Sequence, residues 1–273
     1  MKEQFPFHSA LVTGASSGLG AALCRELVAQ GCTVWGTSRD SARIDIKGVI
    51  PISVDLAHAE PITDFVREMQ LELGQIDLLI NNAGYGVFGN LEDNAPEDIH
   101  DQVELMLTAP ALLTQAVLPG MKARKDGCIV NISSLAARFP LPGMCLYNAS
   151  KSGLSAFSRC LADELRQYGI SVLDVQPGDF RSGFMEATHN AGNGDAAWLA
   201  MEKHMAKAPD ADEIAREIIK AIAKRKKGTI SVGSFFQAKL APFAQYILPG
   251  FVTRFFQRIY MSRAGHPSLG AWL

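Results

Sequence analysis

The stretch SALVTGASSGLGAALCRELVAQG, residues 9–31, contains the first copy of a pattern that repeats along the chain. Its first part, SALVTG, is a short apolar run typical of a buried strand, and AALCRELVAQG has the apolar periodicity of a helix that ends at Gly31. Glycines at positions 14, 18 and 20 lie between them, where a tight turn needs residues without a Cβ. The stretch therefore predicts a strand, a tight turn and a helix in direct succession.

The same alternation continues to residue 233. Further strands are predicted at 33–38, 49–55, 76–84, 127–134, 170–178 and 228–233, and further helices at 60–73, 94–121, 148–168 and 211–226. Apolar strands separated by helices indicate an α/β fold with a doubly wound parallel sheet, helices on both faces and ligands at the carboxyl ends of the strands. We predict one domain over residues 1–233, with 183–208 as a substrate-side insertion. Residues 234–273 are expected to form a C-terminal extension packed on it.

Bulk properties exclude several classes of protein. The chain has 273 residues and a formal net charge of −2, which gives no overall attraction to nucleic acid. Its five cysteines form no CxxC pair and its six histidines no HExxH motif, so no metal site is predicted. The beginning, MKEQFPFHS, lacks the apolar segment of a signal peptide, and no apolar run reaches the ~18 residues of a spanning helix. We expect a cytoplasmic protein.

One predicted helix contains an unusual proline. Apolar side chains at spacings of three and four draw a single stripe along it, and Asn94 with Glu97 predicts where it begins. The stripe consists of Ile99, Val103, Met106, Pro110, Leu113, Val117 and Met121. Pro110 has no backbone N–H, so the carbonyl four residues earlier, that of Met106, loses its helical partner.

The glycine turn TGASSGLG has the spacing GxxxGxG and does not match the literal GxGxxG pattern. Small residues nevertheless let a backbone approach a pyrophosphate, and the N-terminus of the following helix stabilises its charge. A Gly/Ser turn by itself is also compatible with a turn that binds nothing. Its place after the first strand of an alternating α/β chain favours phosphate binding.

Several motifs in one order resemble those of the short-chain dehydrogenases/reductases. TGASSGLG is similar to the cofactor loop of that family, NNAG at 81–84 to the motif that ends its fourth strand, NISS at 131–134 and YNASK at 147–151 to its catalytic segment, and PG at 177–178 with Ser182 to its nicotinamide-side loop. The resemblance covers about residues 8–233. It implies a dinucleotide cofactor held by Gly14, Ser16, Ser17, Gly18, Leu19, Gly20, Ser38, Arg39, Asp55, Asn82, Ala83, Gly84, Tyr147, Lys151, Pro177, Gly178, Phe180 and Ser182.

The residues after the second strand favour NADP over NAD. A carboxylate about 20 residues beyond the glycine loop usually holds a free ribose 2′-hydroxyl, whereas a 2′-phosphate calls for arginine. By the family's pattern the carboxylate would fall at Ser38, and Arg39 follows it, a pair that suits a phosphate. Asp40 argues for NAD instead, because it is a carboxylate close to that position, although it also suits the start of a turn. Asp55 resembles the family residue that binds the adenine amino group, with a capping role as the alternative.

Three residues form the predicted catalytic centre. Tyr147 and Lys151 are four apart at the start of a helix and share one face, and Ser134 follows a buried strand thirteen residues before Tyr147. A free tyrosine has a pKa near ~10, and a nearby ammonium group, together with the positive nicotinamide of an oxidised cofactor, favours the phenolate and lowers that pKa. We expect Tyr147 to exchange a proton with the substrate oxygen and Ser134 to stabilise the charge on that oxygen. The resemblance implies that Lys151 also binds the nicotinamide ribose.

The chain departs from the family at Met106, where the pattern places an asparagine. The resemblance implies that the main-chain carbonyl of this asparagine holds a proton-relay water near the lysine. One hypothesis is that Pro110 frees the Met106 carbonyl for the same purpose. The alternative is that Pro110 merely kinks a core helix, which leaves a site that is slow or inactive.

The substrate side is only sketched by the sequence. Phe139, Leu141, Met144 and Cys145 precede Tyr147, and Phe184, Met185 and Trp198 follow the PG motif, which favours a lipophilic substrate. The apolar and basic segment FFQAKLAPFAQYILPGFVTRFFQRIYMSR, residues 235–263, suits packing over the pocket, contact with a second subunit or a membrane interface. We favour packing over membrane contact because Pro242, Pro249 and Gly250 interrupt a long helix.

These patterns together predict an oxidoreductase that transfers a hydride between NADP(H) and a lipophilic ketone, aldehyde or secondary alcohol. The alternative is a non-catalytic NADP-binding regulatory or scaffold protein with an incomplete site. Met106, at the position of the family asparagine, is the residue that supports this alternative. The basic run KRKKG at 224–228 is interpreted as a solvated helix end, with no nucleic-acid partner. The family resemblance implies a homo-oligomer.

Overall fold

A computed structural model gives the structure of the chain. It describes residues 4–58, 74–182, 205–247 and 250–254, and between these ranges only residues 62, 64–65, 68, 184, 188–191, 198–199 and 202–203. The helix predicted at 60–73 lies mostly outside the described residues, as do half of 183–208 and all of 255–273.

The described residues form one parallel sheet of seven strands, and a pair of two-residue strands lies apart from it. In chain order the strands are β1 (Ser9–Val12), β2 (Thr33–Ser38), β3 (Val49–Ser53), β4 (Leu78–Asn81), β5 (Val87–Phe88), β6 (Cys128–Ile132), β7 (Ser171–Pro177), β8 (His189–Asn190) and β9 (Gly228–Val232). The main sheet has the order β3-β2-β1-β4-β6-β7-β9, and each pairing in it is parallel. The order reverses between β1 and β4, which opens a crevice at their carboxyl ends. The predicted α/β fold is confirmed.

Helices cover both faces of this sheet. They are α1 (Gly18–Ala29), α2 (Pro96–Arg124), α3 (Cys145–Leu165), α4 (Ala211–Ala223) and α5 (Ala241–Ile247). One core joins α1 and α4 to the sheet through Leu23 and Ile218, and a second joins α2 and α3 to its other face through Leu113 and Leu161. The inner strands β1, β4, β6 and β7 are buried along their whole length because helices flank both faces of the sheet, which explains their continuous apolar runs. The edge strand β3 is partly exposed.

Helix α2 differs from its prediction in its first half. It contains a π-turn at Glu104–Thr108, which inserts one residue and rotates the preceding helix by about 100° relative to an uninterrupted one. Gln102 is fully buried there, while Ile99 and Val103 are only half-buried. The predicted cap was also wrong, because Ala95 occupies the N-cap position and Pro96 begins the helix. After the π-turn the predicted stripe is buried as expected.

By length and composition alone, α2 is the helix among the described residues that could cross a membrane. Its inner face, however, is part of the core beneath the sheet: Ala109, Leu113, Val117 and Met121 are each buried there. Packing within the domain therefore accounts for part of the apolar composition of α2, since 33% of its apolar window is buried.

Candidate active site

A cavity of about 760 Å³ runs along the carboxyl edge of the sheet. Strands β1, β2, β4, β6 and β7 all end at it, so side chains far apart in sequence meet there. The structure brings every sequence-predicted site residue to this cavity. They are Gly14, Ser16, Ser17, Gly18, Leu19, Gly20, Ser38, Arg39, Asp55, Asn82, Ala83, Gly84, Ser134, Tyr147, Lys151, Pro177, Gly178, Phe180 and Ser182.

The glycine turn has the backbone that its sequence predicts. Gly14 and Gly18 have positive φ angles of 68° and 54°, which side chains with a Cβ rarely adopt. A Cβ on Gly20 would lie 2.1 Å from the Gly14 carbonyl oxygen, so only glycine allows α1 to start this close to the loop. The first turn of α1 carries no acidic side chain, and its N-terminal end is therefore suited to an anion.

The NNAG motif holds this turn in place. The Asn82 side chain donates to the Thr13 carbonyl at 2.9 Å, and the Thr13 hydroxyl accepts from the amides of Asn82 and Ala83 at 2.8 and 2.9 Å. The resemblance implied that Asn82 touches the cofactor, but its side chain is engaged in joining β4 to the glycine turn.

Two arginines line the cavity beyond β2. Arg39 follows Ser38 at the strand end, and Arg43 reaches the same part of the cavity from a 3₁₀ turn at Ser41–Arg43. Asp40 caps that turn by accepting from the Ala42 amide at 3.0 Å, so its carboxylate has a local structural partner. The sequence reasoning missed Arg43, because its arrival at the cavity depends on this turn.

Asp55 also has a local partner. Its carboxylate accepts from the Ala57 amide at 3.0 Å while the residue lines the cavity. The capping alternative for Asp55 thus describes an observed contact, and its binding role stays a prediction.

Ser134, Tyr147 and Lys151 meet at the end of the cavity away from Arg39. Ser134 follows β6, begins a 3₁₀ turn by accepting from the Ala136 amide at 3.0 Å, and hydrogen-bonds the Tyr147 phenol. Lys151 is 4% exposed, and its Nζ donates to the Ile132 carbonyl at 2.7 Å and lies 5.8 Å from the Tyr147 ring centroid. A hydroxyl, a phenol and an amine therefore share one buried corner.

Burial controls the proton affinities in this corner. It raises the pKa of Tyr147 to about 12 despite the opposing hydrogen bond from Ser134, and it lowers the pKa of Lys151 to about 8. Lys151 was expected to lower the pKa of Tyr147. Among the protein's own groups, burial instead holds that pKa above its usual value. The reason is that desolvation disfavours both the phenolate and the ammonium.

A buried carboxylate supports the corner from behind. Asp174, on β7, is 1% exposed and accepts hydrogen bonds from the hydroxyls of Ser133, Ser155 and Thr229 and from the Gln176 amide. Its negative charge partly offsets the lowering of the Lys151 pKa. Nothing in the sequence patterns pointed to Asp174, because its partners come from four separate segments.

Met106 lies beside the amine. A Cβ placed on Gly84 would be 3.1 Å from the Met106 sulfur and 3.5 Å from Lys151 Nζ, and Met106 is fully buried. The π-turn supports the predicted interruption of the helix ladder. The Ala109 amide donates to the Glu104 carbonyl, and Pro110 has no N–H, so the Leu105 and Met106 carbonyls both lose their helical donors. The proposed water at the Met106 carbonyl stays a prediction.

The substrate end of the cavity is partly apolar. Phe139, Leu141, Met144 and Phe184 line it, and the Phe184 ring lies 5.3 Å from that of Tyr147. Of the other residues predicted for this wall, Cys145 is exposed, Trp198 packs on Phe88 with ring centroids 5.9 Å apart, and Met185 lies outside the described residues. The lining also includes residues that no motif indicated: Tyr85, Asp98, His189 and Gln237.

The fold and this edge define a Rossmann-type α/β protein with a nucleotide-sized crevice. A model of the short chain dehydrogenase family matches residues 8–193. The chain therefore belongs to the short-chain dehydrogenase/reductase family, whose members are oxidoreductases.

Individual relatives agree with this assignment. The 3-ketodihydrosphingosine reductase of Bacteroides thetaiotaomicron is 38% identical over 64% of this chain and 65% of its own length, and the short chain dehydrogenase MYCFIDRAFT_6125 of Pseudocercospora fijiensis is 37% identical over 64% of this chain and 60% of its own. The match thus spans less than two thirds of these two relatives.

Solved structures extend the similarity over more of the chain. A short-chain dehydrogenase from Streptomyces avermitilis has a TM-score of 0.76 and 30% identity, covering 95% of this chain and 100% of its own. A metagenomic short-chain oxidoreductase in complex with NADP has a TM-score of 0.69 and 30% identity, covering 85% of this chain and 98% of its own. The short-chain dehydrogenase from Sphingobium yanoikuyae, in complex with NADPH, has a TM-score of 0.73 and 25% identity over 89% and 95%.

Proposed function

We propose that the protein transfers a hydride between NADP(H) and a lipophilic ketone, aldehyde or secondary alcohol. The observation that carries the proposal is the convergence of Ser134, Tyr147 and Lys151 at one end of a cavity whose other end holds the glycine turn and Arg39. One cavity thus combines side chains that can transfer a proton with a turn that can bind phosphate. This combination suits a redox reaction that uses a dinucleotide cofactor.

The residues of the cavity fit NADP. The glycine turn and the N-terminus of α1 would hold the pyrophosphate, since the turn tolerates no Cβ at Gly20 and α1 has no acidic residue in its first turn. Arg39 and Arg43 would hold the 2′-phosphate, because guanidinium groups match its charge and geometry. The NADP and NADPH complexes of the two structural relatives support the same choice.

When bound, NADP(H) supplies or accepts the hydride and, in its oxidised form, adds a positive nicotinamide ring. Tyr147 donates its phenolic proton to the carbonyl oxygen in reduction, or takes the hydroxyl proton in oxidation. Ser134 hydrogen-bonds the same oxygen and stabilises its developing charge. Lys151, when charged, favours the Tyr147 phenolate, and Asp174 helps to keep it charged at neutral pH.

The substrate class is inferred from the wall of the cavity. Phe139, Leu141, Met144 and Phe184 offer apolar surface beside Tyr147. The name of the Bacteroides relative, a 3-ketodihydrosphingosine reductase, gives a keto substrate and supports a ketone for this chain.

Tyr147→Phe tests the proposal directly. The variant should lose turnover of a panel of lipophilic ketones with NADPH by about a hundredfold or more, because it lacks the transferable proton. It should still quench NADPH fluorescence with an affinity near that of the unchanged protein, since the ring itself is retained. Full turnover in the variant would refute the catalytic role of Tyr147.

A non-catalytic NADP-binding protein is the second candidate. It is favoured by Met106, which places an apolar side chain beside Lys151 where the family has asparagine. If the unchanged protein binds NADPH but turns over no member of the panel with either NADPH or NADH, this candidate replaces the enzyme.

A further inference from the structure

The C-terminal segment, defined as residues 235–247 and 250–254, has an outer face that is unusually apolar. Seven of the ten exposed large hydrophobic side chains among the described residues belong to it. These are Phe235, Phe236, Leu240, Phe243, Tyr246, Ile247 and Phe251. The surfaces of soluble proteins rarely expose so many large apolar side chains in one place, and such a patch marks an interaction site.

Three of the exposed residues share one side of a helix. Leu240, Phe243 and Ile247 follow one another at spacings of three and four residues into α5, the period of a single helix face, and Phe251 is exposed in the part described after residue 249. Tyr246 is 90% exposed and Phe243 65% exposed. At Pro242 the predicted interruption takes the form of a π-turn at Phe236–Leu240, after which α5 runs from Ala241 to Ile247, and Pro249 lies outside the described residues.

The opposite side of the segment is already occupied. Ala241 and Val252 pack with Leu135 and Phe139, next to the catalytic Ser134. Gln237 is buried, accepts from the Asp179 amide at 3.1 Å and donates to the Asp179 carboxylate. Packing among the described residues therefore accounts for the inner side, and it leaves the side chains of Phe243, Tyr246 and Phe251 exposed.

The charge of the segment identifies that partner. The C-terminal segment contains two basic side chains, Lys239 and Arg254, and no aspartate or glutamate, and Arg258 and Arg263 follow it in the sequence of a chain whose net charge is −2. Lys239 and Arg254 are both exposed. A twofold contact between two copies would bring these cations together without a carboxylate from the same segment, whereas an anionic lipid surface complements both the cations and the apolar face.

We propose that the outer face of the C-terminal segment docks the protein on an anionic phospholipid membrane. Phe243, Tyr246 and Phe251 insert at the level of the headgroups, and Lys239 and Arg254 bind lipid phosphates. Gln237 lines the cavity from the inner side of the same segment, so docking would place the cavity on the protein side of this segment with the lipid on its other side.

Vesicle flotation of the full chain tests this without requiring turnover, so its outcome is separate from that of the proposed function. The probes are phosphatidylcholine vesicles and vesicles that also contain phosphatidylglycerol. We expect the protein to float with the anionic vesicles at least roughly tenfold more strongly than with the neutral ones, and less strongly in high salt.

Two variants and one control locate the contact. The triple variant Phe243→Ser, Tyr246→Ser, Phe251→Ser should lose roughly tenfold or more of the binding, and Lys239→Ala with Arg254→Ala should lose the preference for anionic vesicles. Leu91→Ser, at an apolar side chain 50% exposed outside the segment, should bind as the unchanged protein does. Unchanged melting temperatures check that the variants are folded.

Three results would overturn the proposal. One is failure of the unchanged protein to bind anionic vesicles, and another is equal binding by the triple variant. The third is a wild-type dimer that does not bind vesicles and that the triple variant converts to monomer, which would assign the face to a second copy of the chain.

Discussion

The carboxyl edge of the sheet and the C-terminal segment touch each other at Gln237 but are built in opposite ways. At the sheet edge, polar groups such as Asp174 and Lys151 are buried and hydrogen-bonded to named partners. On the segment, large apolar groups such as Phe243 and Tyr246 face outward. The first arrangement suits the proposed reaction, and the second suits the proposed contact with a membrane.

We therefore expect the two regions to have separate functions, one in cofactor binding and turnover and the other in membrane binding. Changes at the sheet edge should alter cofactor binding and turnover and leave vesicle binding intact. Changes on the outer face of the segment should do the reverse. A variant that affected both cofactor binding and vesicle binding would break the division.

The largest effect is expected from Gly20→Ala. The added Cβ would lie 2.1 Å from the Gly14 carbonyl oxygen and 2.6 Å from the Asn82 side-chain nitrogen, so the glycine turn must move. We expect an NADPH affinity about a hundredfold lower, measured by fluorescence quenching, with vesicle binding unchanged.

Gly120→Ala is the matched control, because its Cβ would meet only the flexible end of Arg124 and alanine is favoured in a helix. It should leave NADPH affinity unchanged. Equal affinity in Gly20→Ala and Gly120→Ala would show that the turn does not bind the cofactor.

Lys151→Met should change how stability depends on pH. Burial lowers the pKa of Lys151 to about 8 in the folded protein, from the ordinary value of 10.5 that the unfolded chain retains, so the unfolded chain binds more protons between these values. This residue therefore makes the free energy of unfolding rise with pH from 8 to 10.5, by on the order of 3 kcal/mol.

Urea unfolding of Lys151→Met and the unchanged protein at a series of pH values measures the difference. The buried thiols Cys24, Cys32 and Cys128, whose pKa values burial raises, affect both proteins equally and cancel. A difference in unfolding free energy that is flat across this range would contradict the burial of the amine.

Arg39→Ala should give the smallest effect. Loss of one charged hydrogen-bonding group is expected to raise the KM for NADPH by about tenfold and to leave that for NADH unchanged. Arg25→Ala is the control, since Arg25 forms an exposed ion pair with Asp212. A similar rise in KM with both cofactors would argue against the 2′-phosphate contact.

The fold and the positions of the site residues were predictable because they depend on local backbone constraints. Glycines 14, 18 and 20, and the polar residues that follow each buried strand, mark the edge where the strands end. The first half of α2 was not predictable, since the π-turn shifts the phase of its apolar stripe and buries Gln102 in place of Ile99.

Other features depend on contacts that no local pattern records. Asp174 gains its hydrogen bonds from distant segments, Arg43 reaches the cavity through a capped turn, and Gln237 is placed by the packing of the C-terminal segment. The rise that burial causes in the pKa of Tyr147 was not predictable for the same reason, because the sequence reveals neighbouring charges but not the depth of burial.

The π-turn in α2 has a further consequence for how this helix can move. An extra residue in a helix can migrate along it when each amide in turn exchanges one carbonyl acceptor for the next. Pro110 has no amide to exchange, and it follows the π-turn at Glu104–Thr108 by two positions. The proline therefore blocks migration toward the C-terminus and pins the bulge at the level of Met106, with Lys151 beside it.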